Sequence, residues 1–281
     1  METNLRTLGP NEAKTVLSFR EQKRSVVHAT DVIELLGHES TARKVIRNLL
    51  RKGWLTRLVA GRYLFLPPEH GPENLGENNA LALASAVVEP SYVGWWSAAS
   101  YHGLTTQKPM TITVATQRPL LPRTLEGSEI RFIKVVERKF FGFKSYDLYG
   151  REVMLSTPTK TVIDCLDRPD LTGGVTELTR IVYDYSSNAN LAELSKMAFR
   201  MESTALLQRL GFLSELVGWK LPDALLRRLR AAIAPSTRTI VGRAERQTGD
   251  IGYVAAWGLL VHARTSDLLA DVPQVKRGTS T

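Results

Sequence analysis

The first 66 residues change their hydrophobic period several times, and each change predicts an element. Behind Pro10 and Asn11, the stretch Glu12 to Gln22 sets Ala13, Val16, Leu17 and, at the margin, Arg20 on one side at helical spacing, predicting a first helix. A short second helix follows, with Thr30 as N-cap and Asp31 where the helix dipole favours a negative charge. Val32, Ile33, Leu35 and Leu36 are its buried side, and Gly37 ends it. A third helix is predicted from Thr41 to Lys52 with Ser40 as N-cap. Ala42, Val45, Ile46, Leu49 and Leu50 recur along one face. At about 100° per residue, Ser40, Arg43, Lys44, Arg47 and Arg51 fall within roughly 100° of arc on the other side. Gly53 closes the helix. The run Trp54 to Leu66 then reads as two β-rich segments around Ala60-Gly61, a hairpin signal, ended by Pro67-Pro68.

Helix, short helix, glycine turn, basic amphipathic helix and hairpin are the order of a winged helix-turn-helix. In that arrangement the third helix packs its apolar stripe on the first two and presents its polar side to the major groove. Arginine and lysine there meet guanine edges or phosphates, and serine or threonine contacts either. The predicted DNA-binding set is Ser40, Thr41, Arg43, Lys44, Arg47 and Arg51 on the helix, with Arg57 and Arg62 bracketing the hairpin turn to reach phosphates or the minor groove. Charge strengthens this reading. The first 66 residues hold 12 Lys/Arg against 6 Asp/Glu, which is two thirds of the chain's net +9. A concentrated positive excess attracts a polyanion and releases its counterions on binding. A solvated basic surface or a protein-docking winged helix are the plainer readings of the same residues. His28 and His38 read as surface or packing residues.

The chain's 281 residues and 43% hydrophobic content suffice for a second, larger unit. Residues 69–79, rich in Gly, Pro and Asn, predict a linker, dividing the chain into 1–68, 69–79, 80–265 and a tail, 266–281. Beyond the linker, Ala80 to Glu89 reads as a small-residue helix stopped by Pro90. A second helix runs from Trp95 to just before Gly103. Alternation then predicts strands at 110–116, 130–136, 143–149 and 152–155, a helix from Thr157-Pro158 to Leu166, helices over most of 174–232, and a returning strand around 257–261. The fold class expected is α+β, an N-terminal winged helix-turn-helix followed by a larger mixed α/β domain. No apolar run reaches the roughly 18 residues of a spanning helix, Met1 to Arg6 lacks a signal-peptide pattern, and one cysteine, Cys165, permits no internal disulfide; a cytoplasmic protein with no membrane partner is expected.

Two stretches, Tyr92-Val-Gly-Trp-Trp-Ser-Ala-Ala-Ser-Tyr-His-Gly-Leu104 and Leu155-Ser-Thr-Pro-Thr-Lys-Thr-Val-Ile-Asp-Cys-Leu166, follow the winged helix and flank the strand-rich region. This layout resembles the AbiEi-type antitoxins, which are found beside nucleotidyltransferase-like toxins in toxin–antitoxin and phage-abortive operons. The resemblance implies an N-terminal domain that represses its own operon at promoter inverted repeats and a C-terminal domain needed to counter the toxin. It also implies that Ser40 to Arg51 and Arg57 to Arg62 are the DNA-reading elements, and that Trp95, His102 and Asp164 hold the fold. No cofactor, metal or catalytic residue is implied, and a monomer that pairs on DNA is expected.

Enzymatic alternatives rest on fragments. A nucleotidyltransferase needs Gly-Ser and two metal-holding carboxylates, of which Ser145-Tyr-Asp147 supplies a part. Pro169-Asp170 and Glu177 hint at a nuclease, but Thr179 stands where a lysine is needed. A DNA-targeted nuclease or nucleotidyltransferase, and a winged-helix regulator responding to a small molecule, are the alternative readings. Cys165 in an apolar helix reads as a buried hydrophobe, and His102 as packing beside Tyr101. A second basic stretch, Arg227, Arg228, Arg230, Arg238, Arg243 and Arg246, either extends the DNA footprint, contacts the toxin or its RNA substrate, or is a solvated helix side.

Overall fold

A computed structural model describes residues 7–66, 79–125, 127–148, 151–234 and 238–273. In the N-terminal unit, α1 (Pro10–Glu21) precedes β1 (Val26–His28), α2 (Ala29–Leu36), α3 (Glu39–Arg51), β2 (Leu55–Val59) and β3 (Arg62–Phe65). The three strands form one antiparallel sheet in the order β1-β3-β2. The predicted helices and hairpin are all present. The added strand β1 is too short to show a period in the sequence, and it pairs Val26, Val27 and His28 with Leu64, Tyr63 and Arg62.

Three local expectations change. The buried side of α1 is Glu12, Thr15, Val16 and Phe19, whereas Leu17 is 66% exposed. Glu12 is drawn inward by partners: its carboxylate accepts from the Gly9 N–H (2.9 Å), the Asn48 side-chain amide (2.8 Å) and Lys52 Nζ (2.5 Å). The N-cap of α2 is His28, not Thr30, and the Asp31 carboxylate accepts the His28 N–H at 2.7 Å. Helix α3 starts at Glu39 behind His38, so Ser40 lies inside its first turn and does not cap it. Only two residues separate α2 from α3, and Gly37 there takes φ +79°, the left-handed conformation that favours glycine.

The N-terminal sheet is covered on both faces. Tyr63, Phe65 and Leu55 pack with Val16, Phe19, Val45, Ile46 and Leu49 of the helices. Leu58, Leu64 and Leu66 point the other way, onto Leu83 and Ala86 of α4 (Ala80–Ala86). Arg151 adds a hydrogen bond from its guanidinium to the Phe65 carbonyl (3.2 Å).

Beyond α4 a six-stranded mixed sheet forms from β4 (Ser91–Val93), β5 (Thr111–Thr116), β6 (Arg123–Leu125), β7 (Ser128–Lys134), β8 (Phe143–Leu148) and β9 (Arg151–Ser156), in the order β6-β7-β5-β4-β9-β8. Strand alternation splits the core. Val93, Ile112, Val114, Ile130 and Phe132 face α4, while Tyr92 and Ala115 face the helical layer. That layer contains α5 (Trp95–Tyr101), α6 (Pro158–Asp167), α7 (Val175–Ser186), α8 (Leu191–Arg200), α9 (Thr204–Leu216) and α10 (Asp223–Ala231). A small sheet, β10-β12-β11, closes the chain with β10 (Thr239–Gly242), β11 (Gly252–Val254) and β12 (Leu259–His262), followed by α11 (Thr265–Leu268). The architecture is α+β. Four short strands, β4, β6, β10 and β11, are additions to the sequence reading, and Trp257 lies in a 3-10 turn before β12.

Two proposed boundaries meet the structure. Residues 69–78 and Pro67-Pro68 lie outside the described residues. Asn79 is not spacer: its side chain accepts from the Ala82 N–H to cap α4 and donates to the Leu148 carbonyl, both at 3.0 Å. The chain from 266 to 273 is likewise part of the fold, since Leu268 is fully buried and Arg180 and Thr176 of α7 donate to the carbonyls of Asp271 and Asp267.

Candidate nucleic-acid interface

The polar side of α3 is the most concentrated cationic surface that the sequence predicted. Ala42, Val45, Ile46 and Leu49 are buried against α1, α2 and the sheet, which turns Arg43, Lys44, Arg47 and Arg51 outward, all exposed. Ser40 is exposed beside them, and Thr41 is half-buried at the flank. Arg57 of β2 is exposed opposite Tyr63 in the β2–β3 ladder. Six helix positions and one hairpin position thus present a hydrogen-bonding, positively charged surface to solvent. It is not purely cationic. Glu39, in the first turn of α3, pairs with Arg43 at 2.5 Å, and both side chains are more than half exposed. An exposed pair of this kind contributes little stability and can exchange partners.

Arg62 is a correction. It is buried, 8% exposed, and its guanidinium donates to the Ala86 carbonyl and to Glu89, each at 2.6 Å. Arg57 and Arg62 bracket the turn in sequence but occupy opposite sheet faces: Arg57 shares a face with Tyr63 and Phe65, and Arg62 with Leu64 and Leu66. The second face is covered by α4, so Arg62 caps the carbonyl end of that helix and offers nothing to an external phosphate.

The frame that holds α3 is itself polar. Burial pushes the Glu12 carboxyl up, but Lys52, the Gly9 N–H and Asn48 outweigh it and hold it below the ordinary carboxylate range. Asp31 is also buried in part, and the His28 N–H and the Arg24 guanidinium bring it below its ordinary value. Glu12 therefore ties α1 to α3 through Asn48 and Lys52. Lys52 and Arg24, which the net-charge argument counted as free cations, neutralise acids inside the unit.

The two stretches that carry the family resemblance meet around a closed polar knot. Tyr92 Oη donates to Asp164 Oδ2 (3.1 Å), and Lys160, fully buried, is paired with Asp164 and lies 3.3 Å from Tyr92 Oη. The Lys160 ammonium also sits 4.9 Å from the Phe141 ring centre. Burial pushes the Tyr92 hydroxyl well up, as does Asp164 beside it, and burial raises Asp164 against the pull of Lys160. These groups are buried and bonded to one another, and they lock α6 to β4. Sequence reasoning had named Asp164 as a fold residue but missed Lys160 and Tyr92. The signal was the i, i+4 spacing of Lys160 and Asp164 in a helix that also carries Val162, Ile163, Cys165 and Leu166. Nearby, Gly173 leaves room for the Trp96 ring, because a Cβ there would lie 2.7 Å from ring atoms.

His102 Nε2 donates to the Ser156 carbonyl at 2.7 Å, and burial lowers its pKa, so it is a packing group beside Tyr101. Cys165 is buried, and burial pushes its thiol well up. The acidic fragments weighed as enzyme signals do not converge. Asp170 is clamped by Arg168 at 2.7 and 2.8 Å, and Glu177 is buried in the first turn of α7. Among the described residues no group of three or more His, Cys, Asp or Glu is placed to hold a metal ion. Most of the second basic stretch is engaged locally: Arg228 lies on the Phe199 ring, Arg230 bonds Glu215, Arg238 lies over Tyr253, and Arg243 bonds Asp250. Among the described residues no helix is long and apolar enough to cross a membrane.

No protein-family model and no curated protein sequence matches the chain. Its fold is shared with a solved structure, the crystal structure of the RV2827C protein from Mycobacterium tuberculosis. That match has a TM-score of 0.61 and 18% sequence identity, covering 94% of this chain and 95% of that one. The likeness extends over both the N-terminal unit and the larger part, and it concerns the fold.

Proposed function

We propose that this chain is a DNA-binding autorepressor and the antitoxin of an AbiE-like operon, countering a nucleotidyltransferase-like toxin. The observation that carries the DNA half is the outward array of Arg43, Lys44, Arg47 and Arg51 on one side of α3, with Ser40 and Thr41 at its entry and Arg57 on the hairpin. A helix of that width and charge fits the major groove, where arginine and lysine read guanine or hold phosphate. Arg62 drops out of the contact set. The antitoxin half rests on the resemblance of the two stretches that pack together around Tyr92, Lys160 and Asp164. An enzymatic reading has no comparable support, because the carboxylates it needs are dispersed or paired. The protein acts in the cytoplasm, as a monomer that pairs on inverted repeats.

The test is retardation of the chain's own promoter fragment by the wild-type protein and by the Arg43→Ala, Lys44→Ala, Arg47→Ala triple variant. Binding should be sequence-preferring and salt-sensitive in the wild type and largely lost in the variant, with toxin neutralisation retained. Normal retardation by the triple variant would reject the interface.

A further inference from the structure

Hydrophobic packing places α3 in the N-terminal unit but leaves its rotation about its own axis weakly determined. Its stripe of Ala42, Val45, Ile46 and Leu49 shares one buried cluster with residues of α1 and β3. Apolar burial is non-directional, whereas a hydrogen bond prefers a narrow range of angle and distance. Among the described residues, α3 makes side-chain hydrogen bonds to another element through Asn48 and through its C-cap residue Lys52. Both end on Glu12 of α1. The Asn48 amide donates to Glu12 Oε1 at 2.8 Å, and Lys52 Nζ donates to Oε2 at 2.5 Å. The Gly9 N–H donates to Oε2 at 2.9 Å, which fixes the carboxylate to the start of α1.

The clamp stands beside the outward cationic surface, not within it. At about 100° per residue, Asn48 and Lys52 lie roughly 40° and 80° from Lys44, on the flank between the outward residues and the buried stripe. Glu12 is 6% exposed and the Lys52 side chain 20%, so water competes little for these bonds. Rotation of α3 therefore has to break a directional, largely desolvated contact. At a side-chain radius of about 5–6 Å, a roll of roughly 20° displaces an outward group by about 2 Å. That is enough to break a hydrogen bond to a base edge. Attraction between an arginine and a phosphate falls only as the inverse of distance and survives the same displacement.

We propose that Glu12, Asn48 and Lys52 are positioning residues that set the roll of α3 in the major groove of duplex DNA, and with it the base selectivity of this chain. The proposal rests on the DNA-binding reading above and deepens it. Arg43, Lys44 and Arg47 make the contacts, and the clamp behind them decides whether those contacts meet base edges or phosphates alone. Base-edge contacts carry the sequence information, whereas phosphate contacts carry the sequence-independent part of the affinity. Loosening the clamp removes discrimination between sequences and leaves the charge-driven binding in place.

The test titrates the full-length chain, at several salt concentrations, with its own promoter duplex and with a scrambled duplex of equal length and composition. Two variants are compared with the wild type, each checked for folding by circular dichroism. Asn48→Ala removes one arm of the clamp without changing charge. Glu12→Gln combined with Asn48→Asp reverses donor and acceptor, conserves net charge and keeps a carboxylate one helical turn from Lys52. The ratio of promoter to scrambled affinity should fall about 5-fold or more in Asn48→Ala, the effect of one base pair left unread. The salt slope should be unchanged, and the exchanged pair should recover the ratio at least in part. A merely structural role lowers both affinities together through the folded fraction and leaves their ratio as it was. An unchanged ratio in Asn48→Ala therefore rejects the clamp as a positioning device while the DNA-binding reading stands. A ratio that falls and is not recovered by the exchanged pair makes Asn48 itself a base reader and overturns the proposal, as does a salt slope shallower by about 0.9, the mark of a lost phosphate contact. A wild type that binds both duplexes equally removes the sequence-preferring reading, and the clamp proposal goes with it.

Discussion

Replacing Arg62 with Met separates a structural arginine from a DNA-reading one. Arg62 is 8% exposed and makes two short bonds, to the Ala86 carbonyl and to Glu89. The Glu89 side chain is 69% exposed, so that ion pair is screened and contributes only about 0.5 kcal/mol. The bond to Ala86 is different. Methionine keeps the packing against Leu64 and Leu66 but leaves a buried carbonyl at the end of α4 without its donor, a loss of about 1–3 kcal/mol. Together the change should cost about 2–3 kcal/mol. For a chain of this size that lowers the melting temperature by roughly 4–10 °C. Calorimetry measures this, with promoter binding compared between 50 and 200 mM salt. An interior arginine neutralises no phosphate, so the dependence of binding on salt should be the same in variant and wild type. Unchanged melting together with a salt slope shallower by about 0.9 would mean that Arg62 touches DNA, and would refute the two-faced burial of the hairpin.

Other perturbations probe the same frame. The Arg43, Lys44, Arg47 triple alanine variant removes up to three phosphate-neutralising charges, so its salt slope should flatten by about 2–3, measured by titrating promoter DNA at several salt concentrations. Glu39→Gln removes the negative charge paired with Arg43 and should tighten promoter binding by about 2–5-fold at low salt; weaker binding would mean that Glu39 itself contacts a base. Glu12 is held below its ordinary pKa, so it stabilises the fold above the unfolded carboxylate value near 4.3 and loses that contribution as pH falls through its lower folded value. Glu12→Gln should therefore be about 1–3 kcal/mol less stable than wild type at pH 7, with the gap closing as pH falls below the unfolded carboxylate value in denaturant titrations; a constant gap would assign the loss to packing alone.

What was legible along the chain is what a helix or strand encodes locally. The α3 stripe of Ala42, Val45, Ile46 and Leu49 is a 3.6-residue period, and once it is buried, rotation about the helix axis alone sends Arg43, Lys44, Arg47 and Arg51 outward. The strands β5, β7, β8 and β9 were readable from alternation in the same way. Short strands were not. Segments such as Val26–His28 and Ser91–Val93 span too few residues to show a period, and their hydrogen bonds come from partners distant in sequence. The side of α1 was misjudged because Leu17 is the more apolar residue, while Glu12 is buried by three bonds, two of them to side chains 36 and 40 residues away. Arg62 shows the limit most clearly. The sequence determined that it lies on a hairpin next to a turn; only the tertiary structure decided that α4 covers its face of the sheet. A clue was present, since Tyr63-Leu-Phe-Leu66 is apolar without alternation and so demands burial on both sides. What covers the second side is a contact between remote segments, and no local period records it.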